Sequence, residues 1–208
     1  MAKVKTAFFC QNCGAQSPKW MGKCSSCGEW NTLIEEVIQR EEKGTARFAF
    51  GDRRSIMPVK ILEVTYNQDT RINTHDQELN RVLGGGLVPG SLVLIGGEPG
   101  IGKSTLMLQV ALKCVGQKIL YISGEESDQQ LRMRAERVGV QNEDCFILPE
   151  TNTQAIFQQL ETLHPGIIII DSIQTLQTDT IESSAGSISQ IKECAGEMQR
   201  YALSLIHI

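Results

Sequence analysis

Residues 91–105 constrain the fold of this chain most strongly, because an apolar stretch, a glycine-rich turn and a helix-forming segment follow one another there. Within them, Gly97-x4-Gly102-Lys103-Ser104 matches the phosphate-loop pattern G-x-x-x-x-G-K-[ST]. Such loops hold phosphate oxygens with backbone N–H groups and with the positive end of the following helix. The alternative is a chance glycine-rich turn, which the flanking segments disfavour. We predict a strand over residues 92–95 and a helix over residues 105–115.

The predicted ligand of this loop is ATP with Mg²⁺. In the pattern the lysine reaches the β- and γ-phosphates and the next hydroxyl ligates Mg²⁺, which assigns these roles to Lys103 and Ser104. The predicted nucleotide-binding residues are Gly97, Glu98, Pro99, Gly100, Ile101, Gly102, Lys103, Ser104, Thr105 and Asp171.

Strand-like and helix-like segments alternate after the loop. We predict strands over residues 118–123, 146–148 and 166–171, and helices over residues 129–138 and 153–163. This alternation is typical of an α/β domain with a mostly parallel sheet. Residues 167–170 are four consecutive isoleucines, a pattern expected of a central strand that is covered on both faces.

Acidic residues follow two of these predicted strands, at the sheet edge where such folds bind ligands. Asp171 stands where NTPases of this kind hold Mg²⁺ through an aspartate. Glu125 or Glu126 could activate the attacking water; the spacing does not decide between them, and we favour Glu125 as the base. The alternatives are a loop-capping aspartate and ordinary surface acids. The predicted catalytic residues are Lys103, Glu125 and Glu126.

Four of the seven cysteines form two matched Cys-x-x-Cys-Gly units near the N-terminus. We predict that Cys10, Cys13, Cys24 and Cys27 bind one Zn²⁺ in a closed, structural, four-thiolate site. About thirty residues cannot build a stable core alone, so the metal would supply on the order of 10 kcal/mol of folding free energy. Disulfides, a redox Cys-x-x-Cys and catalytic zinc are the disfavoured alternatives.

Two tryptophans and two lysines lie in the same short module, and their role stays open. Trp20 and Trp30, with Lys19 and Lys23, could stack on and neutralise single-stranded nucleic acid. The favoured alternative is that both tryptophans simply cover the zinc site.

The composition predicts a cytoplasmic protein of one or two domains. No apolar run is long enough to cross a bilayer, and residues 1–13 do not resemble a secretion signal. The net charge of −4 argues against a uniformly basic nucleic-acid binder, although residues 1–60 carry a positive excess. We divide the chain into a zinc module over residues 1–34, a charged linker over residues 35–60 and an ATPase core over residues 61–208. The core is predicted to begin with a strand over residues 61–66.

On these residues the chain resembles the bacterial RadA/Sms family of DNA-repair proteins, within the RecA/DnaB-like ATPases. The resemblance extends over nearly all of residues 7 to 202. The matching segments are Cys10-Gln-Asn-Cys-Gly14, Ser17-Pro-Lys-Trp-x-Gly-Lys-Cys24, Cys27-Gly-x-Trp-Asn-Thr-Leu33, Arg81-Val-Leu-Gly-Gly-Gly-Leu-Val-Pro-Gly90, the phosphate loop, Tyr121-Ile-Ser-Gly-Glu-Glu-Ser127 and Ile170-Asp-Ser-Ile-Gln-Thr175.

The resemblance implies a RecA-like core and a DNA-dependent ATPase of DNA repair and homologous recombination. It further implies action on single-stranded DNA and branched recombination intermediates, a recombinase partner, a homo-hexamer and no membrane association. Two alternatives remain open: a zinc- and nucleotide-binding fragment without activity, and a RecA-like regulatory ATPase that acts on protein partners.

The sequence departs from the family pattern at two places. Asn80 stands where the family usually has an aspartate. After residue 202 the family's next strand, its Lys-Asn-Arg-Phe-Gly motif and its Lon-protease-like domain do not follow. We therefore expect a truncated fragment in which residues 203–208 are foreign, with the middle of the sheet left open.

Overall fold

The computed structural model describes residues 5–38, 58, 60–63 and 71–204. Most of the predicted linker, residues 39–57 and 59, lies outside the described residues, as do residues 64–66 of the predicted first core strand and residues 205–208. Residues 61–63 of that strand are instead a single 3-10 turn, η1 (Ile61–Glu63), in which every residue is exposed. The strand prediction is wrong there, because the apolar side chains of this turn have no buried face.

The N-terminal module is a small antiparallel sheet. Its strands are β1 (Lys5–Cys10), β2 (Gln16–Ser17) and β3 (Leu33–Ile38), in the order β2-β1-β3. β1 pairs with β3 over its whole length, from Lys5 opposite Ile38 to Cys10 opposite Leu33. β3 thus continues to residue 38, into the segment that the sequence assigned to the linker.

The rest of the described chain is built from α-helices and a parallel sheet. Its elements are α1 (Gln77–Val82), α2 (Lys103–Lys113), β4 (Ile119–Ser123), α3 (Asp128–Val138), β5 (Cys145–Leu148), α4 (Thr153–Leu163), β6 (Ile167–Asp171) and α5 (Ile188–Ser204). The strand order is β5-β4-β6, with both pairings parallel. The predicted α/β class with a parallel sheet preceded by a zinc-binding module is confirmed. No helix in the described ranges is long and apolar enough to cross a membrane.

Helices cover both faces of the parallel sheet. On one face α2 and α3 pack Leu108, Ala111 and Leu131 against strand residues. On the other face α4 and α5 pack residues such as Ile156 and Met198 against the opposite side chains of the same strands. Since successive strand residues point to opposite faces, each strand contributes to both clusters.

The central strand is β4 and not the isoleucine strand. All five residues of β4 are buried, whereas β6 has a neighbour only on its β4 side among the described residues. The isoleucines of β6 contact both clusters, as predicted, but Ile168 and Ile170 are only partly buried. The prediction of a central position was wrong, because coverage by helices on two faces does not require two neighbouring strands.

The predicted strand before the phosphate loop is also absent from the described structure. Residues 91–98 have no regular secondary structure, and Leu92, Val93 and Leu94 are exposed. A strand exists through hydrogen bonds to a neighbour, and within residues 71–204 no strand pairs with this stretch. The physical reason for the error is therefore the missing partner and not the local propensity.

A buried glutamine fixes the chain after β6 onto α5. Gln190 accepts a hydrogen bond from Thr178 N at 3.0 Å and donates to the carbonyls of Ile181 and Ser183 at 3.2 and 3.0 Å. Gln190 and Thr178 are each 2% exposed, so the backbone N–H of Thr178 would otherwise be buried without a partner.

The zinc module contacts the start of the same helix. Lys192 Nζ donates to the carbonyl of Cys13 at 3.1 Å. Gly14 lies against Lys192 and Ile188 so closely that a Cβ atom there would clash with both. α5 therefore contacts both the segment that follows β6 and the module.

We predict that Gln190→Leu lowers the free energy of unfolding by about 2 kcal/mol or more, because the buried backbone N–H of Thr178 loses its partner. Urea unfolding followed by circular dichroism measures this loss. Gln159→Leu on α4 is the matched control, since Gln159 is exposed and its replacement should change stability by less than about 0.5 kcal/mol. Equal stability of the two variants would contradict the assigned role of Gln190.

Candidate functional site

The phosphate-loop pattern lies at the start of α2. The helix begins at Lys103, and Gly102 is its N-cap with a φ of 103°, a left-handed conformation that side chains with a Cβ atom rarely adopt. Lys103 folds back over the loop, where its Nζ donates to the carbonyls of Gly97 and Glu98 at 2.7 and 2.9 Å. The lysine ammonium is thereby held within the loop that the pattern defines.

The loop fits a phosphate group. The first amides of a helix have no intrahelical acceptor, and the helix dipole places positive potential at the same end. A Cβ atom placed at Gly100 or Gly102 would meet no other atom within 4 Å, so the backbone is open to approach. Ser104 and Thr105 follow Lys103 in the first turn of α2, with Ser104 partly buried and Thr105 exposed.

The ends of β4 and β6 bring the predicted acidic residues together. Ser123 stands opposite Asp171 in the strand register, and Gly124 N donates to the carbonyl of Asp171 at 3.1 Å. Glu125 and Glu126 follow immediately on the β4 side. Ser172, which follows Asp171, donates its hydroxyl to Glu125 Oε1 at 2.8 Å.

The two glutamates have different surroundings. Glu125 is exposed, and its carboxylate accepts from Ser172. Glu126 forms an ion pair with Arg134 of α3, and both side chains are more than half buried. The Glu126 carboxylate is therefore held by a guanidinium, whereas the Glu125 carboxylate has a neutral hydroxyl as its partner and faces solvent. Arg134 is a residue of this strand-end cluster that the sequence analysis missed.

Tyr121 is a second residue that the sequence analysis missed. It lies in β4, is completely buried, and donates its hydroxyl to Asp171 Oδ2 at 2.7 Å. Burial and the neighbouring Asp171 carboxylate raise the pKa of Tyr121, so the phenol stays protonated and remains a donor. A signal was present, because a tyrosine in a buried strand needs a partner for its hydroxyl.

The four cysteines of the N-terminal module converge. Their sulfur atoms all lie within 4.8 Å of one another. The Sγ atoms of Cys10 and Cys27 are 3.6 Å apart, as are those of Cys13 and Cys24. Tetrahedral Zn²⁺ with Zn–S bonds of ~2.3 Å needs S···S separations of roughly 3.8 Å, so this set fits one ion.

Hydrogen bonds close the two cysteine turns. Gly14 N and Gly28 N donate to the carbonyls of Cys10 and Cys24, at 2.7 and 2.9 Å. A hydrogen bond with the hydroxyl of Thr32 lowers the pKa of the Cys10 thiol to about 6. The pKa of the Cys13 thiol is instead raised to about 11, by burial and by the neighbouring sulfurs, so Zn²⁺ would have to displace a proton from this ligand.

The tryptophans do not cover this site. Trp20 is 55% exposed and Trp30 is 67% exposed, whereas the buried cluster around the sulfurs consists of Cys10, Cys24 and Leu33 with Phe8 and Met21 packed against it. The high exposure of both indoles disfavours the interpretation of the tryptophans as a cover.

Comparisons with known families agree with this two-part architecture. Residues 8–35 match a rubredoxin metal binding domain, and residues 58–203 match an AAA domain. The first range contains all four cysteines, and the second contains the phosphate loop and both acidic strand ends. The chain thus carries an ATP-binding AAA domain and a zinc-binding module.

Proteins named "DNA repair protein RadA" are similar to nearly the whole chain. The proteins of Halalkalibacterium halodurans and Bacillus subtilis are 47% and 46% identical to it over 204 and 205 residues, 97% of this chain. The Streptococcus pyogenes protein is 46% identical over 203 residues. The chain spans about 45% of the length of the first two relatives. The chain belongs to the AAA domain family and is a homologue of these bacterial RadA proteins.

Proposed function

We propose that this chain is the nucleotide-hydrolysing part of a DNA-dependent ATPase that acts on single-stranded DNA and branched recombination intermediates. The observation that carries the proposal is the convergence of Glu125 and Asp171 at two neighbouring strand ends, in a sheet on which the phosphate-loop helix packs. The link to DNA comes from the relatives' name, DNA repair protein. By the same likeness we propose a recombinase partner, a homo-hexamer and a cytoplasmic location.

The proposed division of labour follows the geometry. The loop amides and Lys103 bind the β- and γ-phosphates, and Lys103 stabilises the charge that develops on the transferred phosphoryl group. Ser104 and Asp171 would hold Mg²⁺, which supplies Lewis-acid charge neutralisation when it is bound. Glu125 orients the attacking water and accepts its proton. Glu126, paired with Arg134, keeps the turn after β4 in place.

Asp171 depends on Tyr121 for its orientation. The phenol hydroxyl fixes Oδ2 and leaves the second carboxylate oxygen of Asp171 for a metal or for a water that the metal holds. Such partners of metal-binding carboxylates commonly change metal affinity by about 10- to 100-fold when they are removed.

A fragment that binds zinc and nucleotide but does not hydrolyse ATP is the second candidate. One observation favours it: the residues before the phosphate loop lack a strand partner in the described structure. Hydrolysis and binding assays on the same variants separate the two candidates.

We predict that Lys103→Ala lowers the rate of ATP hydrolysis at least about 100-fold, because it removes a preorganised positive charge from the transferred phosphoryl group. Phosphate release, measured with and without single-stranded DNA, tests this expectation. Lys113→Ala, in the last turn of the same helix, is the control and should keep the rate of the unchanged chain. Nucleotide binding without any hydrolysis by the unchanged chain would favour the second candidate.

We predict that Tyr121→Phe raises the Mg²⁺ concentration needed for half-maximal hydrolysis about 10-fold, since Asp171 loses the group that orients it. A titration of hydrolysis rate against Mg²⁺ at saturating ATP measures the shift. Tyr201→Phe on α5 removes a phenol hydroxyl from another part of the sheet cover and should leave the titration unchanged. A loss of stability without any shift in the Mg²⁺ midpoint would show that Tyr121 serves only the core.

We predict one zinc ion per chain and a purely structural role for it. Only Cys10, Cys24 and Leu33 form the buried cluster of the module, so chelation should unfold residues 5–38, while the helices of the α/β core persist. Metal analysis and circular dichroism before and after chelation measure both effects. Cys24→Ser should lose zinc, and Cys145→Ser, in β5, should retain it. Zinc retained by Cys24→Ser would contradict the four-thiolate assignment.

A further inference from the structure

The zinc module exposes both tryptophans of the chain. The sequence contains only two, Trp20 and Trp30, and the exposed fractions of their side chains are far above those of core aromatic residues such as Phe157, which is 3% exposed. Exposed indoles that are not needed to cover the metal site leave a large apolar, aromatic area in contact with water. Such an area on a small module marks an interaction surface.

Both indoles lie close to Gly22. A Cβ atom placed at Gly22 would lie 3.7 Å from Trp20 Cη2 and 3.7 Å from Trp30 Cζ3. The two rings are therefore near each other, and a larger residue at position 22 would crowd both.

The backbone beneath these residues is fixed to the second zinc turn. Asn31 N donates to the carbonyl of Gly22 at 2.8 Å, and Lys23 forms an antiparallel bridge with Trp30. Cys24, a zinc ligand, follows Lys23 directly. The backbone that carries Trp30 is thus fixed beside the second cysteine turn before any ligand arrives, which limits the entropy lost on binding.

Positive charge accompanies the aromatic rings. Lys23 Nζ lies 5.7 Å from the centroid of the Trp30 ring system, and Lys19 is exposed beside Trp20. Glu29 is the single acidic residue between positions 15 and 31. A flat base stacked on an indole would bring its phosphate within reach of a lysine.

We propose that Trp20, Trp30, Lys19 and Lys23 form a stacking platform for single-stranded nucleic acid. Bases stack on the indoles, and the lysines neutralise the phosphates. The ligand is single-stranded because paired bases are already stacked and present no free face, whereas aromatic platforms bind unpaired bases with little sequence preference. This proposal rests on the proposed action on DNA and assigns the DNA contact to the zinc module. The contact requires neither ATP nor the phosphate loop.

The test uses the tryptophans themselves. Because the chain has only two, fluorescence excited where only tryptophan absorbs reports on the platform alone. A thymidine oligonucleotide of roughly 12 nucleotides, a length within the usual range of single-strand sites, is titrated into zinc-loaded protein without ATP. We expect quenching that saturates and an affinity that falls as salt is raised. Saturating quenching should be absent with a blunt duplex of the same length.

Variants separate stacking from simple apolar contact. Binding of a labelled oligonucleotide, followed by anisotropy, should weaken roughly 5- to 100-fold in Trp30→Ala and similarly in Trp30→Leu, and much less in Trp30→Phe. Zinc content confirms that each variant keeps its module. Phe146→Ala, which removes an exposed aromatic residue from β5, and Lys113→Ala, in the last turn of α2, should bind like the unchanged chain.

Two results would overturn the proposal. Unquenched tryptophan emission at saturating oligonucleotide, or full affinity in Trp30→Leu, would mean that the surface binds an apolar protein segment or nothing. Neither result touches the proposed ATPase, whose hydrolysis rate and DNA stimulation are measured separately. Conversely, quenching together with hydrolysis that DNA does not stimulate would leave the platform standing and refute the proposed coupling.

Discussion

The parallel pairing of β4 with β6 is the interaction on which the nucleotide site depends. It sets Ser123 opposite Asp171, so the two strands end side by side. Ser172, just after β6, can then donate a hydrogen bond to Glu125, just after β4. The same pairing carries Tyr121 to the Asp171 carboxylate. A register slip of one residue would turn Tyr121 toward the other helix layer and separate both hydrogen-bonded pairs. The isoleucines of β6 therefore influence the site indirectly. Their packing fixes the strand register, and the register determines where the acidic side chains lie.

The N-terminal module is stabilised differently, because its buried apolar cluster is very small. Metal–thiolate bonds replace a core, so its large side chains need not be buried for the module to fold. The module can therefore fold while Trp20 and Trp30 stay largely exposed. In the α/β part Tyr121, Phe157 and Tyr201 belong to the buried clusters and contribute to stability, whereas Phe146 of β5 is exposed.

Short-range sequence patterns predicted much of this structure. The predictions fail where the structure around a residue depends on a part of the chain that is distant in sequence. The helix predicted over residues 153–163 is observed with those bounds, since Asn152 caps it and its apolar spacing matches one buried face. The cysteine spacing likewise identified the four converging sulfurs, because each Cys-x-x-Cys pair is formed by a short local turn. Residues 92–95 have the composition of a strand, but a strand also needs a neighbour that composition cannot supply. Tyr121 and Arg134 were missed because their partners, Asp171 and Glu126, are defined only by the folded sheet and turn. The roles predicted for the phosphate loop and Glu125 remain proposals.

The unpaired stretch at residues 91–98 changes what holds the phosphate loop in position. In a sheet, a strand before the loop would fix it through ladder hydrogen bonds. Here α2 provides the attachment, because Leu108, Ala111 and Leu112 pack into the same cluster as Ile119, Tyr121 and Ile169. A helix that packs through side chains resists displacement along the sheet less strictly than a hydrogen-bonded strand does, because side-chain contacts are non-directional. Within the described structure, this packing and the hydrogen bonds from Asn142 Nδ2 to the carbonyls of Ala111 and Cys114 hold α2 in place. A strand paired with the exposed backbone of residues 92–95 would add directional hydrogen bonds to this attachment.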